Sequence, residues 1–128
     1  MLKQDLSQAE RSPIRLKLMI VGNIKLNDLK QEWDLVFVDT LSDCIQEIEY
    51  GNSYHGIIID IQHTNLRNSD GKIFMRRMDE MQCREQIIGI TDDFFAIDAL
   101  KEEIGISILM KPFDLNSVKN ILEIPIFD

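Results

Sequence analysis

Asp60, Thr91 and Lys111 are the residues of this 128-residue chain whose types and positions offer chemistry together. Each stands at the end of an apolar run: Asp60 after Ile57-Ile58-Ile59, Thr91 after Ile88-Gly89-Ile90, Lys111 after Ile108-Leu109-Met110. A carboxylate can act as a nucleophile or as a metal ligand. A lysine beside it can neutralise it or stabilise a developing negative charge, and a hydroxyl can donate to a charged oxygen. A plainer reading makes Asp60 a polar strand end and Lys111 its partner in a structural ion pair. His63, three positions after Asp60, invites a metal or phosphohistidine role. No second histidine stands near it, so it reads as an exposed loop residue, as does His55 before Gly56.

These residues need elements to hold them. Residues 14–21 begin with alternation and become continuously apolar, which predicts a strand entering a sheet buried on both faces. Residues 35–38, 56–61, 86–91 and 106–110 predict four more strands, and Asp60 sits near the carboxyl end of the third. Between them lie helical patterns. One is weak and short, over 25–32. One begins at Leu41 with Cys44, Ile45 and Ile48 as its stripe and closes at Gly51-Asn52. One follows Asp70-Gly71 with Ile73, Phe74, Met78 and Met81. One starts at Asp92-Asp93 with Phe94, Ile97, Leu100 and Ile104 on one side and stops at Gly105, and the last covers 115–124. Met75, Met78, Met81 and Met110 read as core filler. At least one of Phe94 and Phe95 must leave the buried stripe, which makes the pair a candidate partner contact. Five alternations of short strand and helix predict an α/β fold: a flavodoxin-like, doubly wound, five-stranded parallel sheet in the order 2-1-3-4-5 with helices on both faces. In such sheets chemistry sits at the carboxyl ends of the strands, where Gly22-Asn23, Asp60, Thr91 and Lys111 fall.

Charge narrows the function classes. Fourteen Lys and Arg against 22 Asp and Glu give a formal charge of −8, with no basic run. Such a chain is poorly suited to nucleic acid, where phosphate contacts supply most of the affinity. No apolar run approaches the ~20 residues of a membrane span, and the polar start is unlike a signal peptide. Cys44 and Cys83 cannot make a disulfide framework and read as reduced packing thiols in a cytoplasmic protein. Residues 1–13 read as a polar N-terminal tail, with Leu2, Leu6 and Ala9 leaving a short amphipathic helix open.

From residue 14 onward the chain resembles the receiver domain of two-component response regulators. The resemblance rests on Ile57-Ile58-Ile59-Asp60 with Asp70-Gly71 downstream, on Ile88-Gly89-Ile90-Thr91, and on Leu109-Met110-Lys111-Pro112-Phe113. It implies Asp60 as phosphoacceptor in a phosphorelay, Thr91 as the hydroxyl contacting the phosphoryl group, and Lys111 as the cation pairing with phosphoryl and aspartate oxygens, before a cis Lys111–Pro112 bond. In that chemistry a carboxylate attacks phosphorus while a cation and a hydroxyl stabilise the transferred oxygens. The resemblance also implies a signalling partner, a histidine kinase or a downstream effector.

The departures are as informative. Receivers carry an acidic pair after the first strand that holds Mg²⁺ with the acceptor aspartate, and here those positions are Gly22 and Asn23. The remaining set is Asp60, the Asn23 amide and the Gln62 backbone carbonyl, which predicts a weak or absent Mg²⁺ site and no other cofactor. Asp92 follows Thr91 where the family is usually small. Thr64 replaces the family's proline in a lengthened loop, Ile108 occupies the aromatic switch position, and the first helix looks shortened. The chain is therefore expected to be a stand-alone, atypical receiver-like domain over 14–128. It would act by protein–protein interaction rather than as an enzyme, with a homodimer possible because the shortened helix thins the cover of one sheet face. The alternative is a phosphoaccepting receiver that tolerates the missing acids. A flavodoxin-like small-ligand binder lacks support, since no glycine-rich phosphate loop is present.

Overall fold

The apolar runs ending in Asp60 and Thr91 lie side by side in a parallel sheet. The computed structural model describes residues 16–22, 24 and 33–122. Strands β1 (Leu16–Val21), β2 (Trp33–Val38), β3 (Gly56–Asp60), β4 (Ile87–Thr91) and β5 (Ser107–Met110) are all parallel, in the order β2-β1-β3-β4-β5. Among the described residues four α-helices connect or follow them: α1 (Leu41–Glu49), α2 (Ser69–Glu80), α3 (Ile97–Ile104) and α4 (Leu115–Ile121). This is the flavodoxin-like α/β fold expected from the alternation. The expected tail over 1–13, the helix over 25–32 and Asn23 lie outside the described residues. No described helix is long and apolar enough to cross a membrane.

The central strands are continuously apolar because both of their faces are covered. Met19, Val21, Ile57, Ile59 and Ile87 pack with Cys44 of α1, Phe74 and Met78 of α2 and Leu100 and Ile104 of α3. Leu18, Ile20, Ile58, Ile88 and Ile90 face the other way, with Trp33 and with Val118 of α4. Burying each such aliphatic side chain contributes about 1.5–3 kcal/mol. Because every strand is parallel, their carboxyl ends form one edge. Asp60 ends β3 opposite Ile90, Thr91 ends β4 opposite Met110, and Lys111 follows β5 directly.

Local chemistry fixes the helix ends. Thr40 accepts the Asp43 N–H at 3.0 Å and starts α1. Gly105, at φ +77°, ends α3 in the left-handed conformation. Arg84 donates to the carbonyls of Ile104 and Gly105 at that end and forks onto Asp79 of α2, which joins the two helices.

Two expected stripes are corrected. On α2, Ile73 is exposed, and the buried face is Gly71, Phe74, Met75 and Met78. Gly71 sets that face: a Cβ there would lie 1.7 Å from the Leu66 carbonyl oxygen, so this glycine must meet the preceding loop. Residues three, four and seven positions on then point to the sheet, and Ile73 does not. At the start of α3, Thr91 accepts the Asp93 N–H and Asp93 accepts the Phe95 N–H, each at 3.1 Å. These tight turns make residues Phe94–Ala96 a 3₁₀ turn, delay the helix to Ile97 and turn Phe94 outward with Phe95. Met110 at the sheet margin is also exposed rather than core, and the last helix ends at Ile121.

Candidate functional site

Asp60 is fully buried, and both of its carboxylate oxygens are engaged. Oδ1 accepts the backbone N–H groups of Gln62 at 3.1 Å and His63 at 3.3 Å. Oδ2 accepts from Lys111 Nζ at 2.8 Å, with His63 Nε2 at 3.8 Å. A buried carboxylate needs such a charge-assisted partner, since taking an ion out of water costs several kcal/mol. The strand end, the turn after it and the lysine therefore form one unit. Thr64 donates from Oγ1 to the Asp60 carbonyl at 2.8 Å and pins the loop from its other side.

Lys111 reaches Asp60 from the end of the neighbouring strand pair. Its N–H donates to the Thr91 carbonyl at 2.8 Å, and the Lys111–Pro112 peptide is cis. Thr91 is buried and its hydroxyl serves the turn after β4. Asp92 is exposed, and its N–H donates to Gln62 Oε1 at 3.4 Å, which links the two loops above the sheet edge. Ile108 is buried among the helices and β4, where a Cβ on Gly89 would come 2.8 Å from its Cδ1.

Gly22 closes the site's remaining side. It stands at φ +103° with its N–H donating to the Val38 carbonyl at 3.0 Å. A Cβ built there would lie 2.9 Å from Asp60 Cβ and 3.3 Å from Thr64 Cγ2. The Asp60 and Thr64 side chains thus occupy space that a side chain at position 22 would need.

Mg²⁺ takes near-octahedral oxygen ligands and usually one or two carboxylates with phosphate oxygens. The described residues do not fit it. Asp60 offers one carboxylate, already held by two N–H groups and an ammonium. Gly22 offers no side-chain oxygen. Gln62 turns an N–H toward Asp60, and its side-chain oxygen faces the Asp92 N–H. Among the described residues no three His, Cys, Asp or Glu side chains are grouped to hold a metal.

The structure brings together Asp60 and Lys111 directly, Gln62 through its backbone, and Thr91 through the Lys111 main chain. His63, read as an exposed loop residue, is exposed in its loop and also bonds Asp60 through its N–H. The signal available in sequence was its offset of three from a strand-end aspartate, which suits a side chain that accepts from the backbone just after it. His55 is likewise more than a loop residue: its Nδ1 accepts the Lys17 N–H at 3.0 Å and its own N–H donates to the Lys17 carbonyl at 2.8 Å. Burial, aided by Cys83 and Glu47, pushes the Cys44 thiol up to about 12, and burial also raises Cys83, so neither suits nucleophilic work at neutral pH. Comparisons with protein-family models, with curated proteins and with solved structures found no match.

Proposed function

We propose that this chain is an atypical receiver-like signalling module that acts through protein–protein interaction, with Asp60 neutralised by Lys111 in place of Mg²⁺-dependent phosphorylation. The observation that carries this reading is the 2.8 Å contact between Lys111 Nζ and Asp60 Oδ2 inside a fully buried site. A phosphoryl donor approaching a carboxylate must have its negative charge offset. The lysine that could do this is already paired with the acceptor, and among the described residues no group of three His, Cys, Asp or Glu side chains stands ready for a metal. Losing one such electrostatic contact typically costs ~10²–10³ in rate, and here two are compromised. The partner is a signalling protein, either a histidine kinase or a downstream effector. A second reading, a phosphoaccepting receiver, draws support from Asp60, Thr91 and Lys111 meeting at one sheet edge.

The two readings separate by intact-mass spectrometry after incubation with acetyl phosphate, with and without Mg²⁺, with Asp60→Asn as control. The interaction-module reading expects no added phosphoryl mass. A phosphoryl adduct that requires both Mg²⁺ and Asp60 would overturn it in favour of the phosphoacceptor.

A further inference from the structure

The chain carries a formal charge of −8, yet one groove on its surface is bordered by more cations than acids, Arg67, Lys72, Arg76 and Arg84 against Asp79 and Glu103. The groove lies between α2 and the end of α3 and holds about 340 Å³. Arg67 and Arg84 border it and are matched by acids, Arg67 by Glu103 at 3.0 Å and Arg84 by Asp79. Lys72 and Arg76, one helical turn apart on the exposed side of α2, have no acidic partner among the described residues. Elsewhere on the same molecule stands a projection of complementary chemistry. Asp92, Asp93, Phe94 and Phe95 form the exposed loop after β4. Phe95 is 93% exposed and Phe94 63%, and their rings meet edge to face with centroids 5.6 Å apart.

We propose that these two surfaces recognise each other between copies of this chain, the 92–95 loop of one copy seating in the α2–α3 groove of the next. Asp92 and Asp93 are drawn to the unmatched Lys72 and Arg76. The phenyl rings supply faces to which an ammonium or guanidinium is attracted. The loop does not fill its own groove, because Phe95 is almost wholly exposed in the single chain. Loop and groove are different patches, so the contact is heterologous: each copy offers one of each, and copies join head to tail. Repulsion between two acidic molecules is screened beyond ~8 Å at physiological ionic strength, which leaves the local match to decide at contact. The inference does not depend on whether Asp60 is phosphorylated, although the loop adjoins that site through the Asp92 N–H on Gln62 and the Asp93 N–H on Thr91.

Sedimentation velocity of the full chain over a concentration series tests it. The wild type is expected to associate as concentration rises. A loop variant, Asp92→Ser with Phe95→Ser, and a groove variant, Lys72→Glu with Arg76→Glu, are each expected to lose association at least tenfold. All four side chains are exposed, so circular dichroism should match the wild type, and the single variants Phe95→Ser and Arg76→Glu serve if either double variant unfolds. The deciding arm mixes the two variants in equal amounts. The loop variant keeps an intact groove and the groove variant an intact loop, so the mixture should form a one-to-one heterodimer that neither variant forms alone. A wild type that stays monomeric throughout, variants that associate as the wild type does, or a mixture that stays monomeric would each overturn the proposal.

Discussion

At the scale of single residues, Asp60 depends on Lys111 for its charge balance. Removing the ammonium leaves a fully buried carboxylate with the Gln62 and His63 N–H groups and the His63 ring 3.8 Å away, whereas removing both charges leaves no ion to solvate. Lys111→Met should therefore lower unfolding stability by about 2–4 kcal/mol in urea denaturation, below the fully buried extreme because the lysine keeps a quarter of its exposure. Asp60→Asn combined with Lys111→Met should recover much of that loss. Equal costs for the single and double variants would show that the pair contributes nothing. Gly22 gives the second test at this scale. Returning an acid here, as the resemblance to receivers suggests, meets both a φ of +103° and the Asp60 Cβ. Gly22→Asp should destabilise the fold by about 1–3 kcal/mol from backbone strain alone, read as a lowered denaturation midpoint, and should not create Mg²⁺ binding by itself. The glycine was visible in the sequence as a missing ligand. Its conformation was not, because nothing local distinguishes a glycine that has merely lost a carboxylate from one whose Cβ would strike the neighbouring strand.

At the scale of elements, the caps make stability depend on acid. The Asp114 carboxylate starts α4 by accepting the Ser117 N–H at 2.7 Å, and that bond holds its pKa below the ordinary carboxylate value of ~3.9. Asp79 is held down in the same direction by Arg84. A carboxyl group with a lower pKa folded than unfolded adds stability above the unfolded value and loses it as pH falls through the folded one. The melting temperature should therefore decline on acidification from about pH 5. Asp114→Ser keeps an N-cap acceptor but removes the titration, so its melting temperature should decline less steeply over that window; a parallel decline would exclude the cap as a contributor. The same elements show what periodicity conveys. The strands and the helix starts at Leu41 and near Asp70 were legible from their apolar spacing, and at Leu41 the Thr40 cap agrees with it. The outward turn of Ile73 was not, since it follows from a contact between Gly71 and Leu66 that only packing creates. Nor was the outward turn of Phe94, set by two side-chain bonds that compete with the first turn of the helix.

At the scale of the whole molecule, five parallel strands bring the ends of three separated segments to one edge, and this is legible in the sequence because parallel topology permits little else. The sequence could name Asp60, Thr91 and Lys111 as neighbours without saying what state they hold. That state depends on distances set by the turn after β5 and the Thr64-pinned loop, neither of which has a periodic signature. The central claim is that Asp60 and Lys111 form a closed pair that neither Mg²⁺ nor a phosphodonor opens. Its most direct test is an NMR titration of selectively labelled protein, following the Asp60 side-chain carboxyl carbon and Lys111 Nζ as Mg²⁺ and then acetyl phosphate are added. Both signals should stay in place throughout. A saturable Mg²⁺-dependent shift at Asp60, followed by a new acyl-phosphate carbon signal and release of Lys111, would contradict the account.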